Sequence, residues 1–346
     1  MEDGLGDGVL RVSLPTLALS VKTVNRSRGR ADTMIDVVDV PAALARNAVE
    51  VWGDAGRRWL DDLPRVVDDT LRRWSLRLER PFTMTFHWVA AVRRDDGTPA
   101  VLKLAVRGSD HQAVEAAVLG AWDGRGAVPL LEYDPDRGAL LLGRARPGRM
   151  LRELVPHRDE EATAVAAQVL RRLHGAPVPP GGVPRLADAR SSFVRHLVEH
   201  PSTGPLPRPL VEHALSLFDD LVGSAPTSVL LHGDLHHDNV LSDDASASGW
   251  VAVDPHGWVG DPGFDVGPLL YNPDPPERSE ALLRLVPARV DLLADALSLP
   301  RERVVAWGFV MAVLSEVWSA EDTTDHVPGR PLDVALLLQP GRRVVS

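Results

Sequence analysis

The chain has 346 residues, 44% of them apolar and 25% charged, with a net charge of −10 and no cysteine. Such a chain can bury one large core or two ordinary ones, and without cysteine it has no disulfides, thiolate zinc sites or cysteine nucleophiles. The acidic balance argues against nucleic acid as a partner, since phosphate backbones require clustered cations, and it suits a cationic small substrate.

No apolar run reaches the length that crosses a bilayer, and the acidic start Met1-Glu2-Asp3 lacks the basic region of a secretory signal. A cytoplasmic protein without a membrane partner is expected, with a monomer as the default. Basic residues are almost all arginine, and the only lysines are Lys22 and Lys103. A lysine at 103 therefore calls for a reason that arginine does not satisfy.

Residues 1 to about 40 carry no sustained period and are expected to form a flexible extension. From Pro41 the spacing of Val49, Trp52, Trp59, Leu60 and Leu63 predicts a helix, with a second helical segment from Arg65 to Trp74. The period then becomes that of strands. Phe86 to Val92 leads through Asp95-Asp96-Gly97 into Ala100 to Val106, a hairpin with Lys103 inside its second strand.

Helical spacing resumes at His111 and places Glu115, Leu119 and Trp122 on one face. Strands at Ala127 to Leu131 and Ala139 to Leu142 flank a turn, and a hinge is expected near Gly143 to Ala145. Beyond it the pattern is mainly helical: Ala166, Val169, Leu170 and Leu173 make a buried stripe on one helix, others are expected near 186–200, 208–222, 277–297, 301–320 and 331–339, and short strands interrupt them.

The chemistry concentrates in Leu231-His232-Gly233-Asp234-Leu235-His236-His237-Asp238-Asn239 and in the strand Trp250-Val251-Ala252-Val253 that ends on Asp254. Phosphoryl transfer needs a base near the attacking hydroxyl and oxygen ligands that hold magnesium against nucleotide phosphates. Asp234 fits the first role, and Asn239 and Asp254 fit the second. Lys103 in an apolar strand must reach solvent or meet an anion, and Glu115 is the nearest candidate partner. Such a pair lets an ammonium reach the phosphates while the carboxylate fixes it.

Blander readings exist for each residue. Asp and Asn are common in turns for conformational reasons, Lys103 suits an edge strand, and Asp265 suits a helix N-cap or loop anchor. His232 reads as a structural hydrogen-bonding residue. A metallohydrolase is a further alternative because of His232, His236 and His237, but their spacing matches no zinc motif and no His-Glu-x-x-His occurs. No lysine follows the glycine pattern of a P-loop.

Taken together, His232-Gly-Asp234-Leu with Asn239, Val-Asp254-Pro, and Gly260-Asp261-Pro262-Gly263-Phe264-Asp265 resemble the aminoglycoside phosphotransferase family. Val101-Leu-Lys103-Leu, Trp122-Asp-Gly-Arg-Gly-Ala-Val and Gly257-Trp-Val-Gly-Asp-Pro-Gly-Phe-Asp resemble its streptomycin 6-kinase and hydroxyurea kinase branch, over residues 50 to 338.

The resemblance implies an α+β, bilobal protein-kinase-like fold. It expects a small N-lobe over 41–143, with an antiparallel sheet and one key helix, and a larger, mainly helical C-lobe over 144–346. It implies ATP and Mg2+ as cofactors and a small, cationic antibiotic as acceptor. Asp234 would be the base, Asn239 and Asp254 the magnesium ligands, Lys103 the phosphate grip and Glu115 its partner, with His232 and Asp265 in support. Glu316, Glu321 and Asp322 resemble an acidic stretch that would suit a guanidinium-bearing acceptor.

Two departures stand out. Pro81 to Trp88, where kinases carry a glycine-rich loop over the phosphates, has no glycine, and Gly143 stands where the family often has an acidic residue. A kinase-like nucleotide-binding or regulatory protein without turnover is therefore the alternative to an active enzyme.

Overall fold

The computed structural model describes residues 40–82, 86–106, 110–202, 204–273, 279–322 and 326–339. The expected extension, up to residue 39, lies outside them.

The described chain opens with α1 (Ala42–Arg73). It breaks at Gly53, whose φ of 53° and ψ of −124° suit a residue without a Cβ. The two segments fold so closely there that a Cβ on Gly56 would meet the Ala48 carbonyl oxygen. Pro64, at which the sequence pattern divides the expected helices, stays inside the second segment at the loss of one backbone donor.

Next come β1 (Leu76–Pro81), β2 (Trp88–Arg94) and β3 (Pro99–Leu104), then α2 (Asp110–Trp122), β4 (Leu130–Asp134) and β5 (Ala139–Gly143). The strands form one antiparallel sheet in the order β1-β2-β3-β5-β4. Sequence periodicity did not reveal β1, because only its first residue, Leu76, is buried and the rest is exposed.

Alternation sorts the sheet's two faces. Ala90 pairs with Leu102 and Val92 with Ala100, and these join Trp59, Leu63, Val66 and Val67 of α1 in one apolar cluster. Val89 pairs with Lys103, which therefore points the other way, towards α2.

The C-lobe continues with β6 (Pro147–Met150), α3 (Asp159–His174), α4 (Arg190–Glu199), α5 (Arg208–Gly223), β7 (Val229–Leu231), β8 (Val240–Asp243), β9 (Trp250–Ala252) and β10 (Trp258–Gly260). It ends in α6 (Gly267–Tyr271), α7 (Glu280–Leu283), α8 (Val286–Leu297), α9 (Arg301–Asp322) and α10 (Arg330–Leu338). The β strands make two small sheets, β6-β8-β9 and β10-β7.

α9 runs through the C-lobe core against α5, α6, α8 and α10. It is long and apolar enough to cross a membrane by composition, yet 67% of its most apolar stretch is buried inside the protein, as befits a core helix. Arg289 of α8 and Asp159 of α3 form a buried ion pair at 2.6 Å, and Arg289 Nη1 also donates to the carbonyls of Leu269 and Asn272.

α2 precedes Gly143 in sequence but packs Ala116, Val118, Leu119 and Trp122 into the larger cluster, the one that holds the later helices. Its Trp122 ring stacks on His232 with centroids 6.0 Å apart. The helix that carries Glu115 is thereby fixed against the turn that carries Asp234. Gly143, at the expected hinge, has a steric reason to lack a side chain, since a Cβ there would lie 2.6 Å from the Pro129 ring.

Candidate active site

β7 delivers the chain into the turn His232 to Asn239, and β8 takes it away. Gly233 sits at φ +84° with the Trp258 indole against it, so a Cβ would lie 2.6 Å from Trp258 Cδ1. Only glycine satisfies both the left-handed backbone and the close approach.

Asp265 holds this turn from below. Its carboxylate accepts from the backbone N–H groups of His232 at 3.0 Å and Gly233 at 2.8 Å, and lies 2.9 Å from His174 Nε2. It is thus a loop anchor, while the N-cap of the turn at Pro262–Val266 is Asp261, which accepts from Gly263 N. The His232 ring lies 3.0 Å from the Val253 carbonyl and accepts from Asp234 N at 3.3 Å through Nδ1. Both residues act on the backbone of the turn.

Asp234 is exposed at its carboxylate only in small part, with His236 Nε2 at 3.6 Å and His256 Nε2 at 3.8 Å from Oδ2. Burial pushes its pKa well above the usual carboxylate range, and the neighbouring carboxylates of Asp254 and Asp265 push it further. Asn239 Nδ2 donates to the Asp234 carbonyl at 3.0 Å, which leaves Asn239 Oδ1 buried with no hydrogen-bond partner among the described residues.

The hairpin of β8 and β9 pairs Val240 with Ala252, and Val253 N donates to the Asn239 carbonyl at 2.9 Å. This register brings Asp254 beside Asn239. Asp254 takes a left-handed φ of 59°, which turns it out of the hairpin towards the sheet. There Lys103 Nζ meets Asp254 Oδ1 at 2.5 Å and Glu115 Oε2 at 2.7 Å.

Burial opposes the charged form of all three groups, and their mutual attraction decides the balance. For Lys103 the two carboxylates outweigh burial and raise the pKa. For Asp254, burial is outweighed by Lys103, with help from His87 and His111, and the pKa falls. For Glu115, burial prevails over Lys103, Asp254 adds to it, and the pKa rises to about 7.

The donor set fits magnesium. Asn239 Oδ1 is an unpartnered buried oxygen, Asp254 is held ionised beside it, and hard cations take such oxygens together with substrate phosphates. Among the described residues no three His, Cys, Asp or Glu side chains converge to hold a metal by themselves. His237 is buried, both its ring nitrogens without hydrogen-bond partners among the described residues.

The acidic residues of α9 are arranged otherwise than the sequence led one to expect. Glu316 is buried, and its carboxylate accepts from Gly329 N at 2.8 Å and Leu332 N at 3.0 Å and lies 2.7 Å from His326 Nε2. It anchors the segment leading into α10 and faces the fold. Glu321 pairs with Arg195 at 3.3 Å, and Asp322 is the last residue of α9, its side chain outside the described set.

Sequence reasoning missed three histidines of the cleft, His87, His111 and His256, and the direct contact of Lys103 with Asp254. The one available signal was the position of His256, two residues after a candidate metal ligand. Beside the turn, a cavity of about 670 Å3 is lined by Asp188, Ser192, Arg195, Trp258 and Trp318, among others. The Trp258 indole that packs on Gly233 forms part of its wall.

Residues 73–323 match the family model described as aminoglycoside/hydroxyurea antibiotic resistance kinase. The chain is 36% identical to a hydroxyurea phosphotransferase of Kitasatospora aureofaciens over 87% of its length and 86% of the relative's. It is likewise 36% identical to a streptomycin 6-kinase of Streptomyces griseus, over 87% and 97%.

Among solved structures, a choline/ethanolamine kinase family protein from Mesorhizobium loti superimposes with a TM-score of 0.54 at 18% identity, covering 79% of this chain and 92% of that one. A thermostable mutant of aminoglycoside phosphotransferase APH(4)-Ia, in ternary complex with ADP and hygromycin B, gives 0.53 at 15% identity over 79% and 94%. The fold is the bilobal protein-kinase-like one, and the chain belongs to the aminoglycoside/hydroxyurea antibiotic resistance kinase family.

Proposed function

We propose that the protein transfers the γ-phosphate of ATP to a hydroxyl of a small antibiotic, either an aminoglycoside of the streptomycin type or hydroxyurea. The observation that carries this reading is the convergence of Lys103, Glu115, Asp234, Asn239 and Asp254 from four places in the chain: β3, α2, the turn between β7 and β8, and just past the end of β9. Family membership and the names of the two relatives support the choice of acceptor class.

In this reading Asp234 accepts the proton of the acceptor hydroxyl as its oxygen bonds to the γ-phosphorus. The bond from that phosphorus to the bridging oxygen breaks, and ADP leaves with the electron pair. A raised pKa makes Asp234 a better proton acceptor than an ordinary carboxylate, provided it is ionised when substrate arrives. Lys103 draws charge from the phosphates, and Glu115 holds its ammonium in place. Asn239 and Asp254 hold magnesium, which supplies neutralisation of the phosphate charge when bound.

The hinge is assigned to the stretch after Gly143, so that 41–143 and 144–346 form the two lobes. The aromatic-walled cavity beside Gly233 is assigned to the acceptor; Arg195 lines it and pairs with Glu321. Dependence on ATP favours a cytoplasmic site of action.

The test is ADP formation from ATP and magnesium with streptomycin, other aminoglycosides, hydroxyurea, or buffer alone. One of the acceptors should stimulate ADP release well above the buffer rate. If none does, a kinase-like nucleotide-binding protein without turnover becomes the better account.

A further inference from the structure

Three histidines converge on the wall of the cleft around Lys103, and each comes from a different element. His87 directly precedes β2. Continuing the strand's alternation by one residue puts it on the face of Val89, the partner of Lys103. His111 lies in the first turn of α2, four residues before Glu115, and so one turn above that carboxylate on the same face. His256 follows Asp254 by two residues.

Their rings form a row. His87 and His111 stack with centroids 6.2 Å apart, and His111 meets His256 edge to face at 5.0 Å. His256 Nε2 ends the row 3.8 Å from Asp234. All three rings lie within electrostatic reach of Lys103 and Asp254. Both nitrogens of His111 are buried and have no hydrogen-bond partner among the described residues. Leaving a buried donor unpaired is costly, and such a group asks for a ligand to complete it.

Pro81 to Trp88, where kinases carry a glycine-rich loop over the phosphates, has no glycine, and His87 lies in that stretch. An imidazole reaches further than an amide and presents its N–H at the end of a rigid ring.

We propose that His87 and His111 donate imidazole N–H groups to the outermost phosphate oxygens of a nucleoside triphosphate, in place of a glycine-rich loop, with His256 buttressing His111. This rests on the reading of the cleft as an ATP site. Neutral rings suffice, since each carries one N–H. Burial holds both rings neutral, aided by Lys103 at His87, whose pKa is lowered to about 3, and by His256 and then Lys103 at His111. With Asp234 and Asp254 also facing the cleft, added N–H donors favour the approach of a polyphosphate that two carboxylates would repel.

The test is calorimetric titration of the full chain with MgATP, MgADP and AMP, for the wild type and for His87→Leu, His111→Leu and His111→Gln. Leucine fills the space without a donor, whereas glutamine restores an N–H. Each leucine variant should lose about tenfold or more in ATP affinity while AMP affinity changes less than about twofold, and His111→Gln should recover most of the loss. Unchanged AMP binding reports that a variant is folded. Equal losses for ATP and AMP, or no loss for ATP, overturn the histidine assignment alone. A wild type that binds no nucleotide overturns this inference and the proposed function together.

Discussion

Lys103 and Asp254, 151 positions apart in sequence, meet with Nζ and Oδ1 separated by 2.5 Å, and Glu115 takes the other side of the same ammonium at 2.7 Å. One compact cation thus serves two carboxylates from different elements, which explains a lysine in a chain that otherwise uses arginine. A planar guanidinium is larger and donates in a fixed fork, so it fits this three-way contact poorly.

Lys103→Arg is therefore expected to behave as a damaging change. Lys103→Met leaves two buried carboxylates facing each other and should destabilise the protein by about 3–5 kcal/mol, the usual cost of stranding a buried charge. Denaturant unfolding measures this, and a midpoint equal to that of the wild type would show that the ammonium holds neither carboxylate.

Asp234→Asn should separate chemistry from stability. Loss of the base is expected to lower kcat by about 10²–10⁴ with ATP affinity retained. Because the folded pKa of Asp234 is raised, its protonated form favours folding, and that contribution is lost as pH rises through the folded pKa. The Asn variant, a mimic of the protonated state, should melt higher than the wild type at pH 8. Unaltered turnover would remove Asp234 from the role of base.

The pH dependence of stability should carry the signature of Glu115, whose pKa rises to about 7 from the ordinary 4.5. A raised carboxylate pKa stabilises the fold below the unfolded value and ceases to do so as pH climbs through 7. Glu115→Gln keeps the neutral form at all pH. Its stability relative to the wild type should therefore increase between pH 4.5 and pH 8, as read from urea midpoints. A difference that stays flat across that window contradicts the raised pKa.

Arg289→Met tests the brace between α3 and α8. Asp159 would lose its buried partner, and the carbonyls of Leu269 and Asn272 would lose a donor. A loss of about 3–5 kcal/mol is expected, with no direct effect on ATP affinity. A loss under about 1 kcal/mol would mean that the pair contributes little beyond its own desolvation.

Asp254→Ala should weaken binding of magnesium-loaded ATP far more than binding of ATP in chelator. Comparing the two titrations is informative because Asn239 Oδ1, the other proposed ligand, would remain. Equal weakening in both would assign Asp254 to Lys103 alone.

The site's order along the chain was legible where chemistry is local. Asp234, Asn239 and Asp254 lie on one turn and one hairpin, and the register of Val240 with Ala252 follows from apolar strands of ordinary length. The row of His87, His111 and His256 was not legible, because periodicity reports which face a residue takes and never which distant face it meets. Glu316 misled for the same reason: on a helix it resembles a solvated carboxylate, and only the arrival of Gly329 and Leu332 makes it an internal anchor. The strand at Leu76–Pro81 escaped notice because an edge strand with one buried residue has no apolar alternation to read.

Asp265 holds two backbone N–H groups with its two oxygens, so an asparagine there would turn an NH2 towards a donor and disturb the turn itself. At Asp234 the same exchange touches no backbone donor and relieves a buried charge. Mutational drift therefore has an easy path at one aspartate and a barred one at the other. A descendant of this chain could retire from catalysis through a single Asp to Asn change and keep its shape, and the scaffold at Asp265 would carry no record of the loss.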